Sequence, residues 1–92
     1  MQRNQRDVEI SLVRKGFVRT ESHHSFFVYL DLRGRKSSIR TRTSHGGRDL
    51  GDYLLQQMAK QCKISKQQFV ELIDCPLTQQ QYEALLKNSG SL

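Results

Sequence analysis

No stretch of this chain is apolar for long enough to span a membrane, which sets aside a transmembrane reading. The opening residues, Met1-Gln2-Arg3-Asn4-Gln5-Arg6-Asp7, are polar and lack a secretory leader pattern. Cysteine is scarce, with only Cys62 and Cys75. Neither belongs to a Cys-x-x-Cys, so a structural zinc or a redox pair has no support. Reduced structural thiols in a cytoplasmic protein are the expectation. Acidic residues are the minority, 9 against 15 Lys and Arg, for a net charge of +6. That balance suits a polyanion: nucleic acid first, an acidic protein or a membrane surface next. The plain alternative is a basic protein with no polyanionic partner. Hydrophobic content is thin at 36% of 92 residues, enough for one small core and no separate substrate domain. Some of the stability is therefore open to a partner or to a homodimer.

The residues that remain are ordered. Asn4 and Asp7 stand where a helix cap belongs, and Val8 and Leu12 lie one helical turn apart. Ile10 or Val13 is open as a further member of that apolar side. Arg14 and Lys15 fall in the last turn, Gly16 supplies a left-handed stop, and Phe17 can fold back. A short strand follows over Phe17–Glu21. A stronger one, His24–Leu32, puts Phe26, Val28, Leu30 and Leu32 on one face and Ser25, Phe27, Tyr29 and Asp31 on the other. Arg33-Gly34-Arg35-Lys36 reads as a basic hairpin loop. In the third strand, Ser37–Thr43, Ile39 and Thr41 alternate with Arg40 and Arg42. A second helix is expected on Leu50, Tyr53, Leu54, Met58 and Cys62. Ser65-Lys66-Gln67-Gln68 and Thr78-Gln79-Gln80-Gln81 have the form of capping boxes and start two short helices. Asp74-Cys75-Pro76 separates them.

The expected class is α+β: helix, three antiparallel strands, helix, then a helical tail. The two main helices would cover one sheet face and bury Val18, Phe26, Val28, Leu30 and Ile39. The other face would present Arg19, Phe27, Tyr29, Arg40 and Arg42, a mixture of rings and cations suited to phosphates and unstacked bases.

At three places the residues resemble the HicA toxins, small ribonucleases of bacterial toxin–antitoxin pairs. Gly16-Phe17 closes the first helix as in that family. Ser22-His23-His24-Ser25-Phe26 is similar to its Gly-Ser-His-x-x-aromatic turn. Thr43-Ser44-His45-Gly46-Gly47-Arg48-Asp49-Leu50 is similar to its Pro-x-His-x-x-Lys-Glu-Leu entry to the second helix. The resemblance spans about residues 7–64. Glu21 stands where the family has glycine, Thr43 where it has proline, and the tail from Ser65 is longer. The resemblance implies a double-stranded-RNA-binding-like fold, an α-β-β-β-α arrangement, over residues 1–64. Residues 65–92 would be a C-terminal helical extension packed on or beside it. It also implies an mRNA-cleaving endoribonuclease and a HicB-like antitoxin partner.

His23 is then the catalytic candidate. An imidazole near neutral pH can take a proton from a ribose 2′-hydroxyl or return one to the leaving 5′-oxygen. The alternative for His23 is a surface histidine in a turn. His24, of opposite parity, is expected near the core edge. Arg19, Arg40, Arg42, Gly46, Gly47 and Arg48 are the nucleic-acid-binding candidates, the last three leading into a helix N-terminus that suits phosphate. An ordinary glycine loop is the alternative there. Ser22 and His45 are auxiliary candidates. Phe27 and Tyr29 either stack bases or are covered by the tail or a partner, and covering is favoured. Zinc held by His23, His24 and His45 is not expected, because no cysteine or carboxylate set stands at ligand spacing. No cofactor is expected. Two rival functions stay open: a nucleic-acid-binding module of the same fold that does not cut, favoured by Glu21 and the long tail, and a small protein whose basic face meets an acidic protein.

Overall fold

The structure, a computed structural model, describes residues 2–21, 25–43 and 49–92. It is a small α+β domain with a three-stranded antiparallel sheet and four helices. The elements run β1 (Arg3–Asn4), α1 (Gln5–Arg14), β2 (Phe17–Glu21), β3 (Ser25–Leu30), β4 (Lys36–Thr43), β5 (Asp49–Leu50), α2 (Asp52–Gln61), α3 (Lys66–Asp74) and α4 (Gln79–Asn88). The strand order is β2-β3-β4, with β3 in the middle. The short β1 and β5, absent from the sequence reading, pair antiparallel through Arg3–Leu50 and Asn4–Asp49. They tie the start of α1 to the approach to α2.

Local chemistry explains the helix ends. The Asn4 side chain accepts from the amides of Arg6 (3.0 Å) and Asp7 (3.3 Å), satisfying two donors that a helix start leaves open. At the other end, Gly16 takes φ +100°. A Cβ there would collide with the Gln79 side chain and lie 3.0 Å from the Tyr29 ring, so both conformation and packing select glycine. The turn after β3 is built on Asp31, whose carboxylate accepts from the amides of Arg33 and Arg35 at 2.9 Å each. Those bonds, Arg35's first, hold its pKa below the usual carboxylate value.

The sheet is covered on one face. Glu9 of α1 accepts from the Thr43 hydroxyl (2.6 Å), Gln61 of α2 accepts from the Thr41 hydroxyl (2.6 Å), and Tyr82 of α4 packs its ring against Phe17 and Tyr29. One hydrophobic cluster joins all four helices to that face. It includes Val8 and Leu12 of α1, Phe27 and Tyr29 of β3, Leu55 of α2, Phe69 and Leu72 of α3, and Tyr82 and Leu86 of α4. Within it the Tyr82 hydroxyl donates to the Cys62 carbonyl (2.8 Å), and burial pushes the Cys62 thiol up to about 12.

This arrangement corrects the expected faces. The register pairs Arg19 with Phe27, Phe27 with Thr41, and Val28 with Arg40. Phe27 and Tyr29 therefore lie with Ile39 and Thr41 on the covered face, and both rings are fully buried. Val18, Phe26 and Val28 lie on the opposite face with Arg40 and Arg42. Val18 is well exposed, and only Ile39 and Val28 of the expected core set are buried. The physical reason is that β3 is apolar on both sides, so its alternation does not say which side meets the helices. α2 shifts similarly. Its buried residues are Leu55, Met58 and Ala59, whereas Tyr53 and Leu54 face outward.

Candidate nucleic-acid interface

The face of the sheet that no described helix covers is the first place to look for a polyanion. β4 is an edge strand with an outward alternation of cations, and the register sets those cations against the rings and aliphatics of its neighbours. One row reads Val18, Val28, Arg40; the next reads Thr20, Phe26, Arg42. The Arg40 guanidinium carbon sits 6.0 Å from the centre of the Phe26 ring, a cation–π distance. Thr20, Phe26, Val28, Lys36, Ser38 and Arg40 line a shallow depression of about 350 Å³ on this face. An aromatic body beside two guanidinium groups can accept an unstacked base and its phosphates together.

Arg19 is not part of this group. It projects to the covered side at the other edge of the sheet, where its guanidinium lies 5.8 Å from the Phe27 ring. Its nitrogens reach Ser25 Oγ (3.2 Å) and Glu9 Oε1 (3.5 Å). Glu9 is nearly buried and also accepts from Thr43, so it links α1 to β2 and β4 at the end of the sheet. Beside it, Arg6, Glu9, Ile10, Val13, Arg14, Arg19 and Phe27 line an open groove of about 440 Å³ between α1 and β2. Three cations border this groove, but Glu9 offsets one of them. The structure thus brings Arg40 and Arg42 together and leaves Arg19 on the opposite face.

Of the two readings for Phe27 and Tyr29, the favoured one holds: both are buried beneath the helices, Tyr29 against Tyr82 of the tail, and neither is open to a base. The Tyr29 hydroxyl donates to Glu83 Oε1 (2.7 Å) and is engaged inside the protein. Burial, then the Glu83 bond, drives its pKa upward. Ser22, His23, His24, His45, Gly46, Gly47 and Arg48 lie outside the described residues. The chain leaves the sheet toward both of these segments at the same end, since Ser25 pairs with Glu21 on one side and with Thr43 on the other. The expectation that Gly46-Gly47-Arg48 opens directly onto a helix is corrected: β5 and Gly51 intervene, and α2 begins at Asp52.

Among the described residues, no three of His, Cys, Asp and Glu converge as metal ligands. No described helix is long and apolar enough to cross a membrane. Two residues missed in the sequence stand near the cationic row. Phe26 shares the face of Arg40 and Arg42, and Tyr53, placed in the core by its helical spacing, is instead 73% exposed. The competing 55-58-59-62 stripe is the signal that could turn Tyr53 outward. No protein-family model, no curated protein and no solved structure matches this chain.

Proposed function

We propose that this chain acts on RNA, holding a strand on the sheet face that no described helix covers and, as a HicA-like endoribonuclease, cutting it through His23. The observation that carries the binding half is the placement of Arg40 and Arg42 beside Phe26 on a face that no described helix covers. The cutting half rests on the resemblance around Ser22-His23 and 43–50. The double-stranded-RNA-binding-like fold is the frame this reading assumes.

In the proposed step the His23 imidazole takes the proton of a ribose 2′-hydroxyl. That oxygen attacks the neighbouring phosphorus, the bond from phosphorus to the 5′-oxygen breaks, and the leaving 5′-oxygen takes up the proton returned by the imidazole, giving a cyclic phosphate. Arg40 and Arg42 hold flanking phosphates, which positions the strand without reading its sequence. Gly46, Gly47 and Arg48 bind a further phosphate in the same reading. A HicB-like antitoxin would cover this surface in a cytoplasmic complex.

The reading is tested by cleavage of a long mRNA in EDTA by the parent chain and by His23→Ala. Cutting by the parent alone is the expected result, and equal cutting by both sinks the role of His23. Arg40→Ala with Arg42→Ala should weaken RNA binding and flatten its dependence on salt, by roughly 0.7 in log–log slope for each phosphate left without its cation. Unchanged affinity and slope would place the interface elsewhere. The second reading, a binding module that does not cut, draws on Glu21 at the position of the family's glycine. Salt-sensitive binding with no cutting by the parent would establish it.

A further inference from the structure

The row of cations on β4 continues around the edge of the sheet into a second concavity. This groove, about 260 Å³, runs between β4 and α2 and is lined by Arg42, Tyr53, Leu54, Gln57, Met58 and Gln61 among others. Tyr53, Gln57 and Gln61 are spaced four residues apart on α2, which places them in one stripe along the helix. The stripe has a consistent chemistry. Tyr53 offers an exposed ring at one end. Gln57 and Gln61 are half-buried amides able to bond base edges. Gln61 Oε1 accepts from the Thr41 hydroxyl, which fixes which end of that amide is free to donate outward. Met58, nearly buried, and Leu54 supply apolar surface to the wall.

Other uses of these residues are weaker. Tyr53 contributes little to the core, being 73% exposed. A helix-edge groove for an apolar peptide would not need two amides and a guanidinium. Asp52, the neighbour of Tyr53 in sequence, is paired with Lys66, which lowers its pKa and offsets its charge toward a phosphate.

We infer that the β4–α2 groove is a nucleotide subsite, in which an unpaired RNA base stacks on Tyr53 beside the amides of Gln57 and Gln61 while Arg42 holds its phosphate. This deepens the proposed action on RNA and rests on it. It assigns the substrate class: a single strand, or an unpaired stretch, because a base inside a duplex has no free face to offer a side chain. Arg42 belongs to both the open face and the groove, so a strand crossing Phe26 and Arg40 would turn over the β4 edge to reach Tyr53.

The test compares the full chain with Tyr53→Ala and Tyr53→Phe, measuring affinity for an unstructured oligoribonucleotide and for a duplex at one salt concentration. Tyr53→Ala should weaken single-strand binding roughly tenfold and leave duplex binding unchanged. Tyr53→Phe, which keeps the ring, should bind as the parent does. Unchanged urea unfolding of both variants is expected for so exposed a side chain and separates binding from folding. Tyr53 is also the exposed member of the three tyrosines, Tyr29 and Tyr82 being buried, so the oligoribonucleotide should quench tyrosine emission in the parent and not in Tyr53→Ala. Equal binding by Tyr53→Ala and the parent, with Arg40→Ala and Arg42→Ala still weakened, would overturn the subsite and leave the action on RNA standing. Equal weakening toward strand and duplex would overturn stacking on an unpaired base. No RNA binding by the parent would bring down both.

Discussion

Glu83 is the residue on which the interior polar chemistry turns. It is almost wholly buried, and its Oε1 accepts from the Tyr29 hydroxyl (2.7 Å) and from the Leu32 amide (2.9 Å). Its other oxygen faces Lys87 at 3.4 Å, one helical turn along α4. This single side chain therefore joins the tail to the central strand and to the start of the β3–β4 turn. Glu83→Ala strands a buried hydroxyl and a backbone amide, and should cost about 2–3 kcal/mol. Glu83→Gln keeps an acceptor and should cost less. Urea denaturation of the two variants checks the order, and equal losses would mean that the carbonyl oxygen is not what matters. Nothing in the sequence marks Glu83 as internal, since it sits in a polar run and its partners are 51 and 54 residues away. Phe27 and Tyr29 are ambiguous in sequence for a related reason. Both faces of β3 are apolar, and the choice between them depends on the helices that pack there rather than on β3 itself.

At the scale of elements, the legible signals are the ones contained within a few residues. Asn4 caps α1, and the two expected capping boxes form with both reciprocal bonds. Ser65 Oγ accepts from the Gln68 amide (3.1 Å) while Gln68 Oε1 accepts from the Ser65 amide (3.0 Å). Thr78 and Gln81 repeat the pattern at 3.1 and 2.9 Å. Ser65→Ala and Thr78→Ala should each cost about 1 kcal/mol, read from the urea midpoint. A loss near zero for either would show that water replaces the cap without penalty. Strands β2 and β4 are legible in the same way, β2 at its expected bounds and β4 one residue longer, whereas β3 stops at Leu30 instead of Leu32 because the Asp31 turn begins there. Features that need a long-range partner are not legible. β1 and β5 are two residues each, too short to announce themselves, and form only because the chain ends of α1 and α2 meet. The inward stripe of α2 is set by what α3 brings to it, so helical spacing alone puts Tyr53 in the core when it is on the surface. The groove beside Arg42 is hidden from the sequence for that reason.

For the whole molecule, the division between residues 1–64 and a tail is open to a physical test, because the core does not respect it. Phe69, Leu72, Ile73, Tyr82 and Leu86 are each nearly or fully buried in the cluster that contains Val8, Leu12 and Phe17. Tyr82 stacks at 5.9 Å on Phe17 and meets Tyr29 edge-on at 5.1 Å. The buried Lys15 ammonium donates to the Leu72 carbonyl (2.7 Å) and to that of Leu77, so the end of α1 closes the end of α3. Arg3 and Asp74 add an ion pair at 2.7 Å, partly exposed and therefore of small weight. At about 1.5–3 kcal/mol for each fully buried large side chain, the five tail residues contribute roughly 10 kcal/mol of burial. That is comparable to the entire stability of a typical small domain, about 5–15 kcal/mol. Deletion of residues 65–92 should therefore abolish cooperative unfolding, leaving a chain with a sloping thermal melt by circular dichroism. The same deletion would uncover Phe17, Tyr29 and the Lys15 ammonium, so partial order would come with exposed apolar surface and dye binding. A sharp, two-state melt of residues 1–64 would show instead that the three strands and two helices hold together unaided, and that the tail only caps a core already formed.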